Sequence, residues 1–207
     1  MNRCTASGLA IALLMFVPVH GMCQSREAAD VHLRNDCRLA RQVLTTGEPH
    51  TRSAWALDRI SLCDETGPEA LASLWASPRR DTVGLGHLIA VSAKLRDARL
   101  DATLRQIAGE PTETRARRLA ALEVLVSWAV PGLFIPYQQF LGDESGRFST
   151  RFEMMSVDHP GQSDGVHPLP PGFASDLHRW LAKLAADETD PGVRRAAEFC
   201  VGSVPVT

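Results

Sequence analysis

Apolar residues recur every three to four positions along most of the chain, which is the spacing of helices with one buried face. This period predicts longer helices over residues 27–45, 51–63, 80–96 and 113–129. It predicts shorter helices that begin at Pro68, end at Gly109, include Leu177–Leu184 and begin at Pro191. Prolines and glycines separate these helices, and no βαβ unit or glycine-rich phosphate loop lies between them. The pattern therefore predicts an all-α protein.

The predicted helix over 113–129 differs from the others, because apolar residues occupy more than half of its circumference. They include Leu119, Leu122, Leu125, Val126 and Trp128. A helix with a single buried face would show one apolar stripe. We therefore expect this helix to be covered by other helices on two sides.

Short stretches near several helix starts share one arrangement, an arginine followed after one residue by an alanine. They contain Arg52, Arg118 and Arg194, and the first two are separated by about two repeats of 33 residues. The stretch Asp-Pro-Gly-Val-Arg-Arg-Ala-Ala at 190–197 resembles the opening of the second helix in HEAT-like α-helical repeats. The resemblance implies a short α-solenoid of about four helical pairs, in which these arginines serve packing and pairing between repeats. An irregular bundle of similar helices is the alternative.

The helical period stops between residues 131 and 172, before the last predicted pair. Residues 131–140 are apolar and aromatic between prolines, and residues 147–154 alternate between apolar and polar side chains, as in one arm of a β-hairpin. Long segments without regular structure are often functional in compact domains. We therefore expect this insertion, residues 131–172, to contact a partner. The candidate contact residues are Tyr137, Phe140, Phe148, Phe152 and Met154.

The insertion also holds the residues that come nearest to a metal-binding set, Asp158, His159, Asp164 and His167. Their spacing matches no metal motif, and a proline follows each histidine, so a solvated turn is the expected interpretation. The chain has no serine-hydrolase or zinc-protease motif and no paired Cys and His arrangement. The sequence predicts no catalytic residue, no metal and no cofactor.

Residues 1–23 are typical of a secretory signal peptide. Arg3 precedes an apolar run over residues 8–19, and small residues follow it. Cleavage is expected after Gly21 or Cys23, which would leave residues 24–207 as one helical-repeat domain. The apolar run has about 12 residues, shorter than the ~20 of a membrane-spanning helix. We expect no membrane span and an exported protein, periplasmic or extracellular. The many arginines beside few lysines suggest a bacterial gene rich in G and C.

Two cysteines lie on the apolar stripes of adjacent predicted helices, Cys37 on the first and Cys63 on the second. Antiparallel pairing of these helices leaves Cys63 about three residues, or about 4.5 Å of helix rise, off level with Cys37. A Cys37–Cys63 disulfide is a candidate if the loop shifts the register, and an oxidising compartment favours it. The alternative is that both cysteines, like Cys200, are buried hydrophobic residues.

The charge of the chain argues against nucleic-acid binding but does not identify a function. The chain carries 22 Lys and Arg residues against 24 Asp and Glu residues, so it lacks the basic excess of a nucleic-acid-binding protein. Arg115, Arg117 and Arg118 are expected on the solvated face of the helix over 113–129 and between repeats. We expect a non-enzymatic, exported protein-binding or scaffold module. The alternatives are a structural or self-associating envelope protein and, less favoured, a metal-dependent hydrolase built on the insertion.

Overall fold

The structure, a computed structural model, describes residues 20–46, 50–60, 62–63, 66–77, 83–133, 135–142 and 167–206. Every regular element in these ranges is a helix, so the predicted all-α class is confirmed for this part of the chain. None of the described helices is long and apolar enough to cross a membrane. The helices are α1 (His20–Thr46), α2 (His50–Ile60), α3 (Gly67–Ala76), α4 (Val83–Leu95), α5 (Ala98–Gly109), α6 (Arg115–Ala129), α7 (Tyr137–Leu141), α8 (Phe173–Asp187) and α9 (Pro191–Ser203).

Several helices begin where the sequence provides a capping residue. Thr114 precedes α6 and Asp190 precedes α9, and the side-chain oxygen of each accepts backbone N–H groups of the first turn. Asp97 does the same for α5. Such caps satisfy N–H groups that have no partner within the helix. Pro68 and Pro191 lie in the first turns of α3 and α9, where the N–H that proline lacks is not needed.

Several described helices differ from the predictions. The first helix, α1, begins at His20, within the predicted signal peptide, rather than at residue 27. The second, α2, ends at Ile60 rather than at residue 63. A short helix that was not predicted, α7, occupies part of the insertion. Its five residues are too few to display a helical period in the sequence. The β-strand predicted over 147–154 lies outside the described residues.

Helices that are adjacent in the chain pack against each other in pairs, α1 with α2, α5 with α6, and α8 with α9. Between these pairs, α3 lies against α1 and α5, and α4 lies against α2 and α6. The last helix, α9, packs against α6 and α7. Buried apolar side chains along this series form one continuous core rather than several separate ones.

Helix α6 is buried around its whole circumference. Every residue from Ala116 to Trp128 is buried, and α4, α5, α7, α8 and α9 all pack against the helix. This confirms the prediction that it is covered on more than one side. Because α6 has no solvated face over this length, its polar side chains must find partners inside the protein.

Two tryptophans join three helices at Ser92 of α4. Trp75 of α3 donates its indole N–H to the Ser92 hydroxyl oxygen over 2.9 Å, and Trp128 of α6 donates to the Ser92 carbonyl over 3.1 Å. All three residues are buried. A buried indole N–H without an acceptor would be destabilising, so these two bonds help to fix how α3, α4 and α6 meet.

A disulfide joins Cys37 of α1 to Cys63, which follows α2. The two Sγ atoms lie 2.06 Å apart and the two Cα atoms 5.8 Å apart. The cysteines meet because α2 ends at Ile60 and the chain turns there, with the N–H of Cys63 donating to the Ile60 carbonyl over 3.1 Å. The offset expected from a helix continuing to residue 63 therefore does not arise. Gly67 keeps this turn tight, since a Cβ at that position would lie 2.4 Å from the Ile60 carbonyl oxygen.

Replacing Leu122 of α6 or Leu181 of α8 with alanine is expected to lower the free energy of unfolding by about 2–5 kcal/mol. Both side chains are fully buried, so truncation removes apolar contacts and leaves a cavity. Leu39→Ala is the matched control, because Leu39 on α1 is 48% exposed. The control should change stability by less than about 0.5 kcal/mol. Denaturant titration measures all three variants, and a loss below about 1 kcal/mol at either buried position would contradict the assigned helix faces.

Candidate functional site

The insertion leaves and rejoins the helical core through two short segments. We call residues 131–142, described except for residue 134, the exit stem, and residues 167–172 the return stem. Three glycines in these stems have positive φ, namely Gly132 at 80°, Gly142 at 60° and Gly172 at 78°. This backbone region favours glycine over residues with a Cβ. The chain therefore turns sharply at both ends of the exit stem and at the end of the return stem.

A buried carboxyl group holds the middle of the exit stem. Glu123, at the centre of α6, is 1% exposed, and its Oε2 accepts the backbone N–H of Ile135 over 2.7 Å. Its Oε1 is buried and has no hydrogen-bond partner among the described residues. Burial disfavours the charged form and outweighs the single hydrogen bond, which raises the pKa of Glu123 to about 7. This carboxyl group therefore changes its protonation near neutral pH.

Arg115 holds the far end of the exit stem. Its guanidinium donates to the Leu141 carbonyl over 2.9 Å and to both carboxylate oxygens of Asp190, with Nε 2.9 Å from Oδ1 and Nη2 2.8 Å from Oδ2. Burial alone would raise the pKa of Asp190, but the bonds from Arg115 and from the first backbone N–H groups of α9 outweigh it and hold the pKa below its usual value. The Arg115 side chain thus connects α6 to the end of α7 and to the start of α9.

The short helix α7 lies close against the start of α9. A Cβ on Gly192 would lie 2.2 Å from the Phe140 carbonyl oxygen and 2.8 Å from Cδ of Arg115, so a side chain at this position would collide. The Phe140 ring is 7% exposed and packs against Phe199, with ring centroids 6.1 Å apart. The exit stem is therefore packed onto the helical core along α7.

A second buried carboxyl group, that of Asp97 at the start of α5, holds the return stem. Its Oδ2 accepts the N–H of His167 over 3.1 Å, and the His167 carbonyl accepts the N–H of Ala98 over 2.8 Å. Its Oδ1 accepts the backbone N–H and the guanidinium Nε–H of Arg99. Burial alone would raise the pKa of Asp97, but the bonds from Arg99 and His167 outweigh it and leave the pKa below its usual value. Asp97 therefore stays ionised at neutral pH.

After the return stem, the chain enters α8 through an aromatic contact. Phe173 begins α8, is buried, and packs on Trp128 of α6 with ring centroids 6.2 Å apart. The guanidinium of Arg105 on α5 lies 5.9 Å from the Phe173 ring centroid and 5.3 Å from that of Trp180. Its Nη2 is 3.0 Å from Oδ2 of Asp176. These contacts connect the start of α8 to both α5 and α6.

Arg118 connects α6 to the segment between α8 and α9. It is 2% exposed, donates to the Ala108 carbonyl near the end of α5 over 2.9 Å, and forms a buried ion pair with Glu188. Burial alone would raise the pKa of Glu188, but the Arg118 guanidinium and the N–H of Asp190 outweigh it and hold the pKa below its usual value. Arg194 donates to the Glu188 carbonyl over 3.0 Å and so reinforces the same segment.

The prediction of a solvated face for Arg115, Arg117 and Arg118 is wrong for Arg117 and Arg118, whereas Arg115 is partly exposed. Arg117 and Arg118 are buried. Arg117 donates to the carbonyls of Ser77, over 2.7 Å, and Trp75. The physical reason is that neighbouring helices surround the start of α6. The guanidinium groups there meet free carbonyls at the ends of α3, α5 and α7 instead of water. The side chain of Arg52, the remaining repeat arginine, is outside what the structure describes.

The structure describes only some of the predicted contact residues. Phe140 is buried, so its ring is not available to a partner in this structure, contrary to its predicted role. Tyr137 begins α7, but its side chain is not among those described. Outside the described residues lie Phe148, Phe152 and Met154.

Among the residues considered for metal binding, His167 belongs to the return stem and is exposed. Asp158, His159 and Asp164 lie outside the described ranges. Within those ranges, no group of three or more His, Cys, Asp or Glu residues could hold a metal ion.

Sequence reasoning missed the two carboxyl groups that hold the stems, although one of them left a signal. Glu123 lies between Leu122 and Val124 in a helix that is apolar over most of its circumference, so an acid there cannot reach solvent. Asp97 is recognisable as a helix cap. Its bond to His167, however, joins positions 70 residues apart, which no local pattern reveals.

No family model matches the chain, and no curated protein or solved structure matches it either.

Arg118→Met is expected to lower the free energy of unfolding by about 3–5 kcal/mol, because it leaves the buried Glu188 carboxylate without its counter-charge. The double variant Arg118→Met, Glu188→Met should lose less than the two single variants summed, since no charge then remains buried. Arg179→Ala is the control, because its ion pair with Asp176 is exposed and should contribute less than about 1 kcal/mol. Additive losses in denaturant titrations of the cycle would contradict the proposed energetic coupling.

Stability should depend on pH in two opposite ways. Asp97, Glu188 and Asp190 have lowered pKa values, so the stability they contribute is present above their ordinary values of 3.8–4.5 and is lost as the pH falls. Glu123 has a raised pKa. Its contribution is fully present below its ordinary pKa of 4.5 and is lost as the pH rises to about 7.

We therefore expect the wild-type protein to lose about 3 kcal/mol of stability relative to Glu123→Gln between pH 4.5 and pH 7. Glutamine can accept the same N–H but cannot ionise. Denaturant titrations of both proteins at a series of pH values measure the difference. The control variant His178→Gln should retain the wild-type dependence, and a constant difference between wild type and Glu123→Gln would refute the prediction.

Proposed function

We propose that the protein is a non-enzymatic protein-binding module and that its insertion, residues 131–172, supplies the contact surface. The observation that carries the proposal is the anchoring of both stems to the buried core. Glu123 and Arg115 hold the exit stem, and Asp97 holds the return stem. A segment whose ends are fixed in advance loses less conformational freedom when it binds, which favours affinity.

The proposed contact residues are the aromatic and methionine side chains that the sequence pattern of the insertion indicates, without Phe140. Aromatic residues and methionine are enriched in protein–protein interfaces, where they contribute much of the binding free energy. Phe140 is left out of the set because its ring packs against Phe199. The remaining set is Tyr137, Phe148, Phe152 and Met154.

The proposal includes a short HEAT-like stack of helical pairs as the scaffold. Its support is the order of packing, in which α3 lies on α5 and α4 lies on α6 while adjacent helices pair. The continuous core is a second supporting observation, because stacked helical repeats bury their faces against their neighbours. Arg118 adds a third, since it joins the end of α5 to the segment before α9.

Export to the periplasm or the extracellular space completes the proposal. Residues 1–23 have the composition of a signal peptide, and the Cys37–Cys63 disulfide supports an oxidising compartment. Cleavage after residue 21 or 23 would remove only the beginning of α1. The residues by which α1 packs on the core lie further along the helix, at Ala40, Val43 and Leu44.

Self-association is the second candidate function. Exposed apolar side chains lie on α1, just after α2, on α9 and just after α9, namely Leu39, Leu62, Phe199 and Val206. Stacked helical pairs expose apolar surface at their terminal units unless polar residues cap them. A second copy of the chain could cover such surface, and the particle mass would then rise with protein concentration.

Deleting residues 147–165 and closing the gap with a short Gly–Ser linker is expected to abolish partner capture while preserving the fold. The deletion removes none of the residues that anchor the stems. Tagged wild-type protein and the variant are expressed with their own leader and recovered from the envelope fraction of the host, which also tests export. Captured proteins are identified by mass spectrometry, and the captured partner is then purified for a binding titration.

Two further variants make the test specific. Phe148→Ser combined with Phe152→Ser should weaken the purified interaction at least about tenfold, because it removes two aromatic contacts without shortening the chain. Arg179→Ala, on the exposed side of α8, is the matched control and should bind as wild type. Equal capture by wild type and the deletion variant would refute the insertion as the contact surface. A mass that rises with concentration in light scattering, with no partner captured, would favour self-association.

A further inference from the structure

Glu123 differs from the other buried charged groups at the stems because it has no counter-charge among the described residues. Arg115 is paired with Asp190, and Asp97 with Arg99. Glu123 instead accepts one N–H, that of Ile135, and its second oxygen is buried without a hydrogen-bond partner in the described part of the chain. Its link to the exit stem is therefore a single hydrogen bond from a group whose charged form is poorly solvated.

The two protonation states of Glu123 favour different positions of the exit stem. A neutral carboxyl group can remain buried and still accept the Ile135 N–H. An ionised one loses its hydration when buried, so it favours any arrangement that admits water. Moving the exit stem off α6 would expose both oxygens. Gly132 and Gly142, which bound the stem and have positive φ, provide the points at which the backbone can rotate.

We propose that Glu123 is a proton-controlled latch, which keeps the exit stem docked on α6 while its carboxyl group is neutral and releases the stem when it ionises. Because the stem carries the insertion, the latch would regulate the contact surface. That regulatory role rests on the proposed function, whereas the opening of the stem can be measured without any partner.

The helices packed against α6 carry other titratable groups. They include His87 and Lys94 on α4, Arg105 on α5, Tyr137 on α7, His178 on α8 and Cys200 on α9. Among those whose side chains are described, Cys200 interacts electrostatically with Glu123. Burial, with the charge of Glu123 adding to it, raises the pKa of this free thiol to about 12, so it stays neutral and supplies no counter-charge. Burial and the Ile135 N–H set the pKa of Glu123 itself.

Three histidines must be distinguished from Glu123, because histidine titrates in the same pH range. His87 and His178 lie on helices that pack against α6, and His167 lies in the return stem. The variants His87→Gln, His178→Gln and His167→Gln therefore serve as controls. Each should keep the pH response of the exit stem if Glu123 is its source.

Native-state hydrogen exchange of the full chain, without a partner, tests the latch. The ratio of open to docked stem should rise roughly 30-fold between pH 5.5 and pH 8, from a carboxyl pKa of about 7 when docked and 4.5 when solvated. After correction for intrinsic exchange rates, the amide of Ile135, which binds Glu123, should lose protection by that factor. Amides of α5 should keep their protection over the same pH range. Glu123→Gln should show constant protection of the stem over the same range.

Two outcomes would overturn the latch. One is stem protection that does not change with pH in the wild-type protein, and the other is a pH response that persists in Glu123→Gln. If Glu123→Gln does not fold, the ¹³C chemical shift of the Glu123 carboxyl carbon in the wild-type protein replaces it. The shift should titrate near pH 7 together with the loss of stem protection, and a midpoint below about 5 would overturn the proposal. If the latch passes these tests but the protein captures no partner, the latch stands and the proposed function fails.

Discussion

The arrangement of the described helices depends on one constraint, which is that α6 is buried along its length while carrying four charged side chains. A buried charge without a partner costs several kcal/mol, so each of these side chains must reach a group of opposite polarity. Arg117 reaches the end of α3, Arg118 the end of α5 and Glu188, and Arg115 the end of α7 and Asp190. The charges of one helix therefore bind the ends of three neighbouring helices and the residue that precedes α9.

Arginine suits this role better than lysine would. Its planar guanidinium presents several donors in fixed directions, so one side chain can bind a carboxylate and a carbonyl on different elements at the same time. Arg115 does this with Asp190 and Leu141, and Arg118 with Glu188 and Ala108. Because each arginine joins more than two elements, one side chain holds several parts of the helical core together, and Arg115 connects the exit stem to them.

The features of the fold that depend on local periodicity could be predicted from the sequence. Those that depend on contacts between residues far apart in the chain could not. The helical period gave the class of the fold and the helix that is covered on all sides, since burial leaves its mark on every turn. It did not give the end of α2 at Ile60, where a turn and the close approach of Gly67 decide the geometry. Nor could it show that Arg117 and Arg118 are buried, because arginine is most often solvated and the carbonyls that bind them belong to other helices. The anchoring of the return stem by Asp97 was hidden for the same reason.

Among the charged side chains of α6, Glu123 is the one whose charge is not explained by its role in anchoring the structure. A glutamine could accept the Ile135 N–H equally well and would not lose stability as the pH rises. The other buried acids at the stems, Asp97 and Asp190, have arginine partners that keep them ionised, so their contacts do not change around neutral pH. Glu123 has one backbone N–H and a buried oxygen without a hydrogen-bond partner in the described chain. The proposed export would expose the protein directly to the pH of its surroundings. The proposed latch would then link the position of the exit stem to the proton concentration outside the cell.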